Sequence, residues 1–130
     1  MTRDPLTAAL AQFTFRDAVL EPVEIPQEDM REGRPTLEAG VLYESPDGAM
    51  VIGATRITAG SFTLEQTTFD VAFVVKGRIQ IVVDGELAVD ATPGDFVRWT
   101  PGVSALVTVV EEYEEIYVVA KGAAGSSAAG

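Results

Sequence analysis

From Val41 to Ala120 the chain runs as short apolar segments rich in Val, Ile and aromatic residues, cut at short intervals by Gly, Pro and Asp. β-branched and aromatic side chains suit a pleated, half-buried surface, whereas the cutting residues are turn formers, so the pattern predicts an all-β sandwich or barrel. The strands fall at Val41–Tyr43, Ala49–Ile57, Ser61–Gln66, Asp70–Val75, Arg78–Val83, Glu86–Val89, Asp95–Trp99, Ala105–Val110 and Glu114–Ala120. The breaks lie at Pro46-Asp47-Gly48, Ala59-Gly60, Lys76-Gly77, Asp84-Gly85, Pro93-Gly94 and Pro101-Gly102. Asp84-Gly85 is the strongest local signal, because a tight type I′ hairpin wants positive φ at both central residues.

The first forty residues read differently. Prolines at 5, 22, 26 and 35 interrupt any long element,. Asp4 as N-cap and Pro5 at the first helical position, followed by Leu6, Ala8, Ala9, Leu10 and Phe13, predict a short helix of roughly two turns,. Val19 to Arg34 reads as an extended acidic arm that wraps the barrel or reaches a neighbouring subunit. After Lys121 only Gly, Ala and Ser remain, with nothing to bury, which predicts a disordered tail,. The expected organisation is therefore a helix and arm over 1–40, one barrel over 41–121 and a tail over 122–130.

Composition narrows the chemistry. In 130 residues there is no histidine and no cysteine, so zinc fingers, iron–sulfur clusters, thiol nucleophiles and histidine proton shuttles lack the side chains they need,. Any metal would have to be a hard cation held by carboxylates and carbonyls. The formal net charge is −11, with lysine only at 76 and 121, which argues against the phosphate backbone of nucleic acid and against anionic membrane surfaces,. Without a signal-like segment or a long apolar run, a cytoplasmic location is expected,.

Asp70, Gly77, the Asp84-Gly85 hairpin, Pro93-Gly94-Asp95 and Thr100-Pro101-Gly102 together resemble the two motifs of the cupin superfamily, small jelly-roll β-barrels. The likeness covers about Ala49 to Ala120, and within the superfamily the strand order and the Asp70-to-Gly77 segment look most like the ethanolamine-utilisation Q-type cupins, which also lack the usual histidines. With Gly77 fixing the register, the family's metal-binding glutamate falls on Asp70. Its first two histidines fall on Leu64 and Gln66, or on Thr63 and Glu65 if the loop is one residue longer. With Gly94 fixing the second motif, the third histidine falls on Ala105. The resemblance thus implies the fold and leaves the metal site without most of its ligands.

If the metal positions still face inward, strand alternation turns Asp70, Ala72 and Val74 to the interior and Phe73 and Val75 outward. Arg98, between Val97 and Trp99, and Arg56, sharing a face with Met50, Ile52 and Ala54, stand where an apolar residue is expected. An inward arginine needs a carboxylate or an anionic ligand, so both are candidates to hold a substrate, or to brace the barrel as a salt bridge with Asp70. The candidate catalytic residues are Asp70, Glu65 and Tyr117, and the candidate binding residues are Arg56, Arg98, Gln66, Trp99 and Leu64. Glu111, Glu112, Glu114 and Glu115 around Tyr113 read as a solvated turn, since like charges this close are costly to bury. If the face carrying Tyr113, Glu115 and Tyr117 is internal, a tyrosine hydroxyl and a buried carboxyl could replace histidine as acid and base. If it is external, these are interface residues.

These readings lead to a cupin-type jelly roll with a short N-terminal helix and extended arm. The first functional expectation is a metal-independent enzyme of isomerase, dehydratase or cyclase type, using no cofactor, on a small organic molecule. The alternative is a non-catalytic binding or assembly module of the ethanolamine-utilisation and microcompartment kind. The resemblance also implies a homodimer paired through apolar outer sheet faces such as Phe73 and Val75.

Overall fold

The computed structural model describes residues 10–120. Among them are eight strands: β1 (Glu21–Val23), β2 (Leu37–Glu44), β3 (Met50–Ile57), β4 (Gly60–Glu65), β5 (Asp70–Val83), β6 (Glu86–Ala91), β7 (Phe96–Trp99) and β8 (Ser104–Ala120). The predicted helix from Asp4 lies mostly outside the described residues. Leu10 to Thr14 are not helical, and the nearest helical turn is a single 3₁₀ turn at Phe15–Asp17, capped by Thr14 and Asp17. The expected tail also lies outside.

Strands β5 and β8 organise the fold. Both are long, and each serves two sheets. The first half of β5 and the second half of β8 pair in a sheet ordered β1-β2-β3-β8-β5-β7, while their other halves pair in a sheet ordered β4-β8-β5-β6. The strands are antiparallel throughout, and the buried faces of the two sheets meet in one core containing Ile57, Phe62, Val74, Ile79, Ile81, Val97, Val107, Val109 and Tyr113. This is the jelly-roll barrel expected from the pattern.

Two predicted turns are absent. Lys76-Gly77 does not end a strand. The β5–β8 register shifts there, Gly77 takes φ +84° as a bulge residue, and a side chain on it would collide with the carbonyl oxygen of Glu112,. Nor do Glu111 to Glu115 form a solvated turn: they continue β8. The expected repulsion is dispersed because three of the carboxylates meet different partners. Glu112 pairs with Lys76 at 3.1 Å, Glu114 with Arg56 at 2.9 Å, and Glu115 turns inward to the hydroxyl of Tyr113. The predicted strand at Val41–Tyr43 likewise begins earlier, at Leu37, because Leu37 to Gly40 pair with Ala54 to Ile57. At Asp84-Gly85, φ values of 51° and 78° give the expected hairpin.

The arm stays on its own barrel. β1 pairs with β2, Met30 bridges Phe62, and the amides of Arg31 and Glu32 bond the carbonyl and hydroxyl of Ser61 at 3.0 Å each, covering the free edge of β4,. Among the described residues no helix is long and apolar enough to cross a membrane.

Candidate functional site

Between the two sheets lies a cavity of about 230 Å³. Its apolar wall includes Val23, Leu37, Ile57, Phe62, Leu64, Ile79, Trp99 and Val107. Its polar groups are Thr55, Gln66, Asp70, Glu115 and Tyr117. Alternation along three strands produces this set. Asp70 begins the inward row Asp70, Ala72, Val74 of β5, with Phe73 and Val75 exposed on the other side,. Tyr113, Glu115 and Tyr117 form the inward row of β8, so the face left undecided by the sequence is internal. Opposite them β3 contributes Thr55 and Gly53, paired in register with Glu115 and Tyr117.

Gly53 makes room for this arrangement. A Cβ there would run into the ring and hydroxyl of Tyr117, so the tyrosine lies across β3 only because position 53 has no side chain. No turn signal or motif singles out this glycine, which sits inside a strand,.

Two carboxyls share the cavity, each held by one donor. Gln66 donates from Nε2 to Oδ1 of Asp70 at 3.0 Å and is itself tethered to the carbonyl of Thr68 at 2.9 Å. Tyr113, fully buried, donates its hydroxyl to Oε1 of Glu115 at 2.7 Å. Burial pushes Asp70 up to about 6, with the Gln66 hydrogen bond opposing. Burial likewise pushes Glu115 up to about 7, the Tyr113 bond opposing and the Asp70 charge adding to the rise. The hydroxyls of Tyr113 and Tyr117 are both raised, first by burial and then by the charge of Glu115, so both stay protonated,. The cavity therefore contains two acid–base groups poised near neutrality and one tyrosine hydroxyl lining it.

Of the residues singled out by sequence, Asp70, Tyr117, Gln66, Trp99 and Leu64 line this cavity. Three do not. Arg56 faces outward, bonds Glu114 through Nε at 2.9 Å, approaches Glu38 at 3.9 Å and lies 5.6 Å over the ring of Phe15. Arg98 is exposed on the outward side of β7 and borders a separate cleft with Val83 and Val89. Glu65 is exposed on a surface groove beside Asp84 and Ser104. The expectation that arginines converge with Asp70 fails for a simple reason: alternation places each of them one residue out of phase with the inward row, where water and surface carboxylates solvate the guanidinium. Glu115 is only a conditional candidate in the sequence, because nothing there decides whether the face it shares with Tyr113 and Tyr117 is internal.

A scan of protein families matches residues 44–117 to the EutQ-like cupin domain. The chain belongs to this family. Among solved structures, the EutQ protein of Clostridium difficile is 16% identical, with a TM-score of 0.60 over 80% of this chain and 94% of that one. A Rhizobium leguminosarum protein of unknown function is 26% identical, with a TM-score of 0.60 over 86% and 97%. A cupin 2 conserved barrel domain protein of Rhodopseudomonas palustris is 14% identical, with a TM-score of 0.61 over 85% and 78%. These likenesses establish the cupin barrel. No curated protein sequence matches the chain.

The EutQ-like cupin register can now be read in space. Leu64 and Gln66 line the cavity while Thr63 and Glu65 turn away, so the former pair occupies the first two histidine positions of metal-binding cupins. Ala105, at the third, is buried and paired in register with Leu64. Leu64 and Ala105 have no lone pair to offer, which leaves only the side-chain oxygens of Gln66 and Asp70 at the matched positions,. Among the described residues no three Asp or Glu side chains converge as a metal site. The donor set does not fit the metal centre that the fold often carries.

Proposed function

We propose that the barrel interior is the active site of a metal-independent enzyme that acts on a small organic molecule by acid–base chemistry, of isomerase, dehydratase or cyclase type. The observation that carries this reading is the presence of Asp70 and Glu115 in one cavity with the hydroxyl of Tyr117. Near neutral pH such a pair holds about one proton between its members, so one carboxyl can give a proton while the other takes one. Asp70 and Glu115 are the transfer groups, Tyr117 a hydrogen-bond donor to a substrate oxygen or nitrogen, and Leu64, Ile79 and Trp99 the wall that limits substrate size. Asp70, Gln66 and Tyr113 are fixed by packing and hydrogen bonds, which limits reorganisation during reaction.

The test is proton NMR in D₂O of the purified protein with a panel of small amines, alcohols and carbonyl compounds. Solvent deuterium entering a carbon position, or a dehydrated or rearranged product, is expected with the wild type. Asp70→Asn and Glu115→Gln should each slow it at least 100-fold. Activity surviving in both variants overturns the assignment. Binding in the barrel with no turnover of any compound supports the alternative, a non-catalytic cupin of ethanolamine-utilisation type. One feature favours that alternative: each carboxyl already has a partner, from Gln66 and from Tyr113, as in a structural brace.

The same reading includes a homodimer. Phe73 and Phe96 pack with ring centroids 5.0 Å apart and planes tilted by 56° on the outer face, with Phe96 71% exposed and Val75 and Val118 exposed as well. Light scattering should give twice the chain mass, and Phe96→Glu the monomer.

A further inference from the structure

The charges around the cavity are unbalanced. Its only ionisable carboxyls, Asp70 and Glu115, are acidic, and among the described residues no lysine or arginine lines it. The cations of the barrel are engaged outside: Arg56 with Glu114, Lys76 with Glu112, and Arg78 with Asp90 at 2.8 Å. Arg98 points to solvent from β7.

Each carboxyl also keeps unused acceptor capacity. An ionised carboxylate presents about four lone-pair sites. Asp70 accepts one side-chain bond, from Gln66, and Glu115 one, from Tyr113. The remaining sites have no protein cation to neutralise them, and a second negative charge in the same half-dry space is opposed by the first. A guest carrying positive charge and several N–H donors relieves both costs together. A carboxylate or phosphate guest adds further negative charge beside these groups and brings no N–H donor. The walls complete the selection: Val23, Leu37, Ile57 and Ile79 suit a short alkyl chain, and the indole of Trp99 lines the same space. At water's share of about 30 Å³, the cavity of about 230 Å³ takes on the order of eight non-hydrogen atoms,.

Building on the cavity reading above, we infer that the barrel interior selects small protonated amines with a short apolar chain, and excludes carboxylates and phosphates. This reverses the ligand class that inward arginines would have recognised.

Three probes with the same three-carbon skeleton test it: propylammonium, 1-propanol and propionate, each titrated into the full-length protein at pH 7.5 and followed by amide and indole NMR shifts. Propylammonium should shift Thr55, Trp99 and Tyr117 and bind at least tenfold more tightly than propanol, with no saturable shift from propionate. Asp70→Asn and Glu115→Gln should each bring the amine to within about threefold of propanol. Both variants remove a buried charge and keep the shape, and a dispersed amide spectrum confirms that they fold. Propionate binding as well as the amine, or amine affinity unchanged in both variants, overturns the inference. Propanol binding with no amine preference overturns the charge selection and leaves the acid–base site standing. If no probe shifts a cavity residue, both readings fall together.

Discussion

Tyr113 and Glu115 lie two residues apart on the inward face of β8, with the tyrosine hydroxyl 2.7 Å from the Glu115 carboxyl. Two opposed effects meet at this contact. Burial favours the neutral acid, and the phenol donates to the ionised one,. The outcome is a carboxyl that titrates near neutrality, which neither effect alone produces.

Removing the phenol therefore has a definite direction. In Tyr113→Phe the carboxyl of Glu115 should titrate above its position near 7, because only the opposing hydrogen bond is lost. Carbon-13 NMR of the glutamate side chains reads this directly. Stability at pH 8 should fall by about 1–3 kcal/mol, as a buried charge loses its donor. A downward shift would contradict the account.

The same carboxyls make stability depend on pH. Asp70 and Glu115 have folded-state values of about 6 and about 7, above their ordinary 3.8 and 4.5. Between these limits the folded protein binds more protons than the unfolded chain, so stability falls as pH rises. No penalty applies below about pH 4, and the full penalty applies above about pH 7. For partly buried Glu115 this amounts to at most ~3 kcal/mol at about 1.4 kcal/mol per pH unit,. Urea unfolding of wild type and Glu115→Gln at pH 4.5 and pH 8 should show the variant gaining relative stability at the higher pH. Parallel curves would refute the burial of this group.

Gly53 and Gly77 should respond to alanine in different ways. Gly77→Ala forces a side chain into positive φ and against the Glu112 carbonyl at the β5–β8 bulge, so a loss of more than 2 kcal/mol is expected,. Gly85→Ala, with similar φ and open space, should lose only about 1 kcal/mol,. In Gly53→Ala the obstacle is the movable ring of Tyr117. Its clearest effect should be on the cavity, with weaker binding of the amine probe and altered indole shifts of Trp99. Thermal unfolding and the titration described above separate the three.

Arg56→Ala tests the outer position of that residue. Its partner Glu114 is on the same outer face but only 13% exposed, so leaving that carboxylate without its donor should cost about 1–3 kcal/mol,. Chemical denaturation should show a loss within that range, and binding in the barrel should stay within twofold. A tenfold change in binding would restore the inward arginine.

The sequence by itself determined the class of fold and much of one wall of the site. Alternation alone put Asp70, Ala72 and Val74 on one face, the hairpin at Asp84-Gly85 followed from its dihedral demands, and the motif spacing put Leu64 and Gln66, or Thr63 and Glu65, together with Ala105 where metal-binding cupins have histidine. Such features depend on residues a few places apart. Tertiary structure decided the rest, because the remaining questions were of phase between distant segments. Whether β8 passes through Glu111 to Glu115 depended on Lys76, Arg56 and Tyr113 arriving to meet those carboxylates one by one. Once the strand continued, its period of two placed Glu115 inside and Arg56's partner outside. The acidic cluster that looked like a surface turn thereby supplied the cavity's second acid, and the arginines that looked like its floor became part of the outer shell.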